Sequence, residues 1–310
     1  MWSGRTRTST SSTTHGEPMA CYHPSLVAVK RKSLTAPQGV RDLVRVPCGH
    51  CLGCRADQAR QWGVRIMHEA MMHSSSWFAT LTYSDEALPE NGSLSPEHLS
   101  SFIESLRRHY GYGRIRFYGC GEYGDHTGRA HYHAVLFGPD FLDRFLHRDT
   151  GGIATWRSPT LESLWPYGHS EFGTLTMASA SYVAGYVKKK QHRGQKTHVN
   201  PLTGEVLQDE FARMSLRPAI GRTWIERYWP DVYPRDFVVV DGYEAKPPRY
   251  YDKFMDLEDD KGGCPKRRRI MMEVREKRHK EAIELSRATL DAKEKIHQSR
   301  NSLYAGRHTL

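Results

Sequence analysis

The sequence predicts an α+β protein: an antiparallel sheet with packed helices, joined to a small zinc-binding element near its start and a basic helical tail at its end. Three observations carry this expectation. Short segments rich in β-branched and aromatic residues recur through the middle of the chain, segments of helical period lie between them, and Cys48, Cys51 and Cys54 fall three residues apart. The segments come in the order strand, helix, strand, strand, which an antiparallel sheet covered by helices accommodates.

Taken in order, residues 1–18 are dominated by Ser and Thr with almost nothing to bury, so they read as a disordered leader, with Met19 as the natural start. The folded core is expected over residues 19–240, including the Cys-rich metal element at 21–54. A first helix is expected from Arg55 to Met72, where Trp62, Ile66, Glu69 and Ala70 follow a helical period. Trp77 to Tyr83 reads as a strand. Ser95 then supplies a helix cap and Pro96 the first helical position, ahead of Leu99, Phe102, Ile103 and Leu106 at helical spacing. Arg114 to Cys120 and His131 to Phe137 read as strands, and Met177 to Lys190 as a third helix. Pro247-Pro248 and the acidic run Asp256 to Asp260 mark a linker over residues 241–264. Residues 265–310 form the basic helical tail, whose thin apolar stripe suits either a solvated helix touching the core or an arm that grips DNA.

At 310 residues the chain is long enough for one buried core with appendages, and its 38% hydrophobic content leaves room for solvated segments. The net charge of +10 favours a polyanionic partner. From Pro265 to Arg300 there are twelve Lys/Arg against six Asp/Glu, so +6 of that charge belongs to the tail. No run of eighteen apolar residues occurs and the start lacks the pattern of a signal peptide, so a non-membrane, non-secreted protein with reduced cysteines is expected.

Two motifs carry chemistry. In His131-Tyr132-His133 strand alternation projects both imidazoles from one face. If the preceding turn is centred between His126 and Thr127, Glu122 lies directly opposite His131, with Cβ atoms roughly 4.5–5.5 Å apart. Two histidines and a carboxylate can share a divalent cation and leave coordination positions open for phosphate oxygens. A register shift of one residue would turn Glu122 away, and a bare His-x-His also occurs in ordinary packing. The second motif is Tyr182 and Tyr186, four apart and stacked on one helical face, followed by Lys188 to Lys190. A phenol with a pKa of about 10 needs nearby positive charge to become a nucleophile, and Lys189 or a metal supplies it. The alternative is an aromatic pair packed into the core. Gly185 inside that helix points to something approaching its backbone closely.

Cys48, Cys51 and Cys54 supply three thiolates, and Cys21 is the natural fourth ligand of a closed structural zinc site. His23 or His50 are substitutes for it. An iron–sulfur run of similar spacing calls for a cysteine where Gln58 stands, and reduced cysteines without a metal are the third reading. Arg55, Arg60 and Arg65 follow the cluster and either touch phosphate or face solvent.

Together, Cys48-Gly-His-Cys-Leu-Gly-Cys-Arg55, Phe78-Ala-Thr-Leu-Thr-Tyr83, Cys120-Gly-Glu-Tyr-Gly124, His131-Tyr-His-Ala-Val-Leu-Phe-Gly138, Tyr182-Val-Ala-Gly-Tyr186 and Met214-Ser-Leu-Arg-Pro-Ala-Ile-Gly221 resemble the rolling-circle replication initiators of the HUH endonuclease superfamily. The chain is most similar to those of the gokushovirus-type microviruses, from Met19 to Tyr251. The resemblance implies an HUH endonuclease-like fold and a Mg²⁺ or Mn²⁺ ion held by His131, His133 and Glu122. It implies nucleophilic attack by Tyr182 or Tyr186 on the scissile phosphate, giving a 5′-phosphotyrosine and a free 3′-OH, with the second tyrosine cutting the regenerated origin. The implied partners are the origin DNA of a circular single-stranded genome and a host helicase and polymerase, in the cytoplasm of a bacterial host. No helicase-type phosphate loop occurs in the sequence, so unwinding falls to a partner. The competing reading is a non-enzymatic, zinc-containing nucleic-acid-binding protein, which accounts for charge and cysteines but leaves the His-x-His strand and the paired tyrosines unexplained.

Overall fold

A computed structural model describes residues 21–30, 41–125, 127–190, 198–200, 203–257, 265–280 and 285–305. The leader at 1–18, Cys264 and residues 306–310 of the tail lie outside the described residues. The chain opens with the hairpin β1 (Ser25–Lys30) and β2 (Arg41–Val46), then α1 (Leu52–Ala70), β3 (Ser76–Tyr83), α2 (Pro96–Tyr110), β4 (Arg116–Tyr123) and β5 (Ala130–Phe137). There follow the hairpin β6 (Phe145–Thr150) and β7 (Ile153–Arg157), α3 (Pro159–Leu164), β8 (Gly168–Thr174), α4 (Met177–Lys190) and β9 (Phe211–Met214). The last elements are α5 (Arg222–Val232), β10 (Val238–Val240), β11 (Tyr243–Ala245), α6 (Arg249–Asp256), α7 (Pro265–Lys280) and α8 (Arg287–Ala305).

Among the described residues, seven strands form one sheet in the order β6-β7-β8-β3-β5-β4-β9, with every neighbouring pair antiparallel. The α+β architecture expected from the sequence is present, with more strands than the three the sequence makes legible. Strand alternation sorts the two faces. Ala130, Tyr132, Ala134 and Leu136 of β5 pack into a core with Leu99, Phe102, Ile103 and Leu106 of α2. That helix begins as its sequence dictates, with Ser95 accepting from the His98 amide and Pro96 in the first turn. The alternate residues Val135 and Phe137 face the other way, against Ile66 of α1 and Ala180, Val183 and Ala184 of α4. His131 and His133 share that second face by the same parity.

The helix bearing the paired tyrosines is held close to α1. A Cβ at Gly63 would lie 2.5 Å from Ser181 Oγ and one at Gly185 3.2 Å from the Ala59 Cβ, so both glycines exist for the approach of two helices. What comes near the Gly185 backbone is therefore α1. α1 itself starts at the cysteine cluster, so one rigid helix connects that cluster to the helix that covers the His-x-His strand.

The stretch expected to be a linker from residue 241 is instead structured as far as Leu257. Pro248 is the cap of α6, and Tyr251, Phe254 and Met255 sit at helical spacing in a buried cluster with Trp224, Ile225 and Val64. Proline before a helix reads like a linker in sequence, but its fixed φ also suits the start of a helix. Met271 and Val274 of α7 join the same cluster. Arg278 of α7 is paired with Asp236 and with Asp252, the latter at 2.8 Å. The start of the tail is thus docked on the core.

Candidate active site and metal centres

β4 and β5 pair in the register that sets Glu122 opposite His131 and Cys120 opposite His133. His131 Nε2 and His133 Nε2 approach the same oxygen, Glu122 Oε1, at 2.9 and 3.0 Å. The ring planes are nearly perpendicular, with centroids 5.0 Å apart. Each imidazole is aimed by its other nitrogen: His131 Nδ1 donates to the Arg129 carbonyl at 3.1 Å, and His133 Nδ1 lies 3.1 Å from Thr80 Oγ1 on β3. Fixing Nδ1 in this way leaves both Nε2 atoms directed at one point, the arrangement in which an outer partner orients a metal-binding histidine.

Glu122 is 1% exposed, and its second oxygen, Oε2, is buried with no hydrogen-bond partner among the described residues. A buried carboxylate oxygen without a donor is costly, and a cation held between Nε2, Nε2 and this carboxylate would relieve it. The three ligand atoms lie within 4.8 Å of one another, so the residues present fit a divalent ion. Burial works to raise the Glu122 pKa, yet the hydrogen bonds from His131 and His133 outweigh it and bring it down to about 2. Burial likewise opposes protonation of His131, but Glu122 and the Arg129 carbonyl raise its pKa overall.

α4 places Tyr182 directly over this group. Its hydroxyl donates to Glu122 Oε1 at 3.1 Å, and its ring meets His133 edge-on with centroids 5.4 Å apart. The ring is 43% exposed, so the phenol has one side on the buried carboxylate and the other open. Partial burial first, and then the negative charge of Glu122, push the Tyr182 pKa well above its ordinary value. Tyr186 and Lys189 belong to the same helix, and their side chains lie outside the described residues.

Two residues that the sequence reading passed over also belong here. Thr80 holds His133. Glu210, just before β9, is buried and accepts from the Tyr123 amide at 2.9 Å. The β4–β9 pairing, Cys120 with Ala212 and Gly121 with Phe211, continues to set Glu210 beside Glu122. Both come to the site through pairing between strands far apart in sequence, which no local spacing announces.

The second group is at the start of α1. Cys21, Cys48, Cys51 and Cys54 bring their four sulfurs within 4.8 Å of one another, with Cys48 and Cys54 at 4.0 Å and Cys51 and Cys21 at 3.9 Å. Tetrahedral zinc with Zn–S bonds of about 2.3 Å separates its sulfurs by about 3.8 Å. Backbone amides also point at sulfur: Cys48 to Cys21 at 3.2 Å, Cys51 to Cys48 at 3.3 Å and Tyr22 to Cys51 at 3.3 Å. Burial works to raise the Cys48 thiol, but amide donors from His50 and Cys51 lower it to about 7. His23 and His50 are engaged elsewhere, His23 with Glu294 of α8 at 2.9 Å and His50 with the Cys48 carbonyl at 2.9 Å. Of the three arginines after the cluster, Arg60 pairs with Asp57 at 2.9 Å, while Arg65 is buried between the Trp62 and Tyr250 rings and donates to the Ile220 carbonyl at 2.8 Å. Those two hold the fold together and are not open to phosphate.

No helix among the described residues is long and apolar enough to cross a membrane. Residues 76–191, which span β3 to α4 and so include every residue of the His/His/Glu group, match the family model for the ORF2-type replication-associated proteins. Replication-associated protein ORF2 of Spiroplasma virus 4 is 32% identical over 257 residues, covering 78% of this chain and 77% of that protein. Replication-associated protein VP4 of Bdellovibrio phage phiMH2K is 34% identical over 66% of this chain and 65% of its own length. Replication-associated protein ORF4 of Chlamydia phage 1 is 28% identical over 66% of this chain and 52% of its own. No solved structure matches the chain significantly. With a relative of that identity and coverage and a family model that frames the whole His/His/Glu site, the chain belongs to the ORF2-type family of replication-associated proteins.

Proposed function

We propose that the protein is an HUH-type replication initiator, an enzyme that nicks and rejoins one strand at the origin of a circular single-stranded phage genome. The observation that carries this reading is the shared oxygen: Glu122 Oε1 receives both Nε2 atoms and, 3.1 Å away, the hydroxyl of Tyr182. A nucleophile, a carboxylate and two directed imidazoles meet on one face of the sheet. Mg²⁺ or Mn²⁺ bound by His131, His133 and Glu122 would supply Lewis-acid polarisation of the scissile phosphate.

The chain's own residues do the rest. Thr80 and the Arg129 carbonyl hold the imidazoles in place. Tyr182 Oη attacks phosphorus and forms the O–P bond of a 5′-phosphotyrosine. The P–O3′ bond breaks, and the departing oxygen takes a proton to leave a free 3′-OH that serves a host polymerase as primer. Glu122, already the acceptor of the Tyr182 hydrogen bond, is the first stop for the phenol proton. Negative charge at Glu122 holds the resting phenol protonated, so neutralising it is what activates the nucleophile. Tyr186, one helical turn on, is the second nucleophile, used when the regenerated origin is cut, and Lys189 offers positive charge to the same reaction. The four cysteines hold a structural zinc ion that fixes the start of α1.

The test is incubation with labelled single-stranded origin DNA and Mn²⁺, followed by denaturing electrophoresis. Wild type should give a covalent protein–DNA adduct, Tyr182→Phe and Tyr186→Phe should each retain some single cleavage, and the double variant should give none. An adduct of undiminished yield in the double variant would refute the assignment of the nucleophiles.

A further inference from the structure

The segment Met214-Ser-Leu-Arg-Pro-Ala-Ile-Gly221 takes no part in the nicking chemistry, yet it is held unusually firmly. The Ser215 amide donates to the Phe117 carbonyl at 3.0 Å and the Phe117 amide to Ser215 Oγ at 3.1 Å. Arg116 donates to the Pro218 carbonyl at 2.7 Å, Arg65 to the Ile220 carbonyl at 2.8 Å, and the Gly221 amide to Glu69 Oε2 at 2.7 Å. Glu69 is buried and also pairs with Arg116. Between these anchors the chain turns two residues outward: Leu216, which is 71% exposed, and Arg217. A loop fixed at both ends with an apolar and a cationic side chain presented to solvent is preorganised for recognition, because the entropy of ordering it is spent on folding.

The two side chains line a cleft of about 800 Å³ together with Arg107 of α2, Tyr112 and Arg116. Arg116 is matched by Glu69, so Arg107 and Arg217 carry the net positive charge, with the Glu104 carboxylate occupied at 2.5 Å by the Tyr112 hydroxyl. Tyr112 is itself 62% exposed. Guanidinium groups beside exposed aromatic and apolar surface are the chemistry that takes a single-stranded nucleic acid, phosphates on the arginines and bases on the rings. Arg116 and Glu122 stand six residues apart on β4, a separation of about 20 Å, so one strand can occupy this cleft and the site of the tyrosine together.

We propose that this cleft is a second DNA-binding site, which holds the substrate strand about 20 Å from the scissile phosphate through Arg107 and Arg217, with Tyr112 and Leu216 receiving bases. The proposal rests on the nicking reading only in taking DNA as the ligand. Binding is measured by fluorescence anisotropy with labelled oligo(dT) of about 8 and about 30 nucleotides, lengths that bracket the site sizes of single-strand binders. Wild type should gain at least about tenfold in affinity from the longer strand, as linked binding requires. Arg107→Ala/Arg217→Ala should lose most of that gain, keep its affinity for the short strand within about twofold, and show a salt slope lower by about 1.4, that is about 0.7 for each lost phosphate contact. Arg217→Glu, at an exposed side chain, repeats the test without touching the packed end of α2. Unchanged long-strand affinity and salt slope in both variants would overturn the proposal. Adduct formation is scored in parallel: its absence in wild type refutes the nicking reading, whereas the length-dependent binding decides the cleft alone.

Discussion

The two candidate metal-binding groups are built in opposite ways. At the cysteine cluster four like ligands close around one point, three of them within seven residues of sequence, and backbone amides satisfy the sulfurs. Nothing is left over for a substrate. At the His/His/Glu group three unlike ligands come from two paired strands, one carboxylate oxygen is buried without a donor, and a half-exposed phenol stands over it. A closed site contributes to folding, while an incomplete one is suited to chemistry. α1 joins them: it begins at the first and packs through Gly63 on the helix that bears Tyr182.

The sharpest separation should come from the open site. His131→Ala or His133→Ala should lower adduct formation at least about a hundredfold, since a Lewis acid contributes several kcal/mol and each ~1.36 kcal/mol is tenfold in rate. DNA affinity, carried by basic side chains, should change little. Single-turnover nicking and anisotropy measured on the same preparations check this, and wild-type nicking in either variant would remove the metal assignment.

At the closed site the loss should appear in stability instead. Purified protein should contain about one zinc per chain, and Cys51→Ser should destabilise it by several kcal/mol, on the order of 4. Metal analysis and thermal melting decide it; a variant without zinc that melts like wild type would reduce the cluster to ordinary packing.

Gly63→Ala probes the connection. Its new Cβ would meet Ser181 Oγ at 2.5 Å and Met177 Cε at 2.9 Å, an overpacking expected to cost about 1–3 kcal/mol. Because it pushes on α4, nicking should fall further than zinc content, which should stay at the wild-type level. Equal losses of both would mean that the two regions unfold together.

The smallest effect concerns pH in metal-free protein. Glu122 is lowered from 4.5 to about 2, so its contribution to stability is present above 4.5 and lost as pH falls toward 2. His131 is raised above 6.5, so its contribution is full below 6.5 and lost as pH rises through the raised value. Metal-free protein should therefore melt highest between pH 4.5 and 6.5. Added Mn²⁺, which competes with the protons on Nε2, should raise the melting temperature more at about pH 8 than at about pH 6. A melting temperature that Mn²⁺ shifts equally at both pH values would argue against binding through the histidines.

The sequence by itself determined the elements with strong local periodicity. Ser95 and Pro96 with Leu99, Phe102, Ile103 and Leu106 specify α2, the β-branched and aromatic runs specify β3, β4 and β5, and cysteine spacing specifies the thiolate group, because each depends on residues close in the chain. Local signals failed where pattern was thin: β6 is exposed along its length and β8 is Gly-His-Ser-Glu-rich, and the Pro-Pro pair that reads as a linker caps a buried helix. Tertiary structure alone decided the rest. The hairpin register turned Glu122 toward the histidines, strand pairing across some eighty residues brought Glu210 beside it and Tyr123, and helix packing set Tyr182 on the carboxylate. Those are contacts between distant segments, fixed by which faces can be buried together, and composition and spacing within one segment do not encode them.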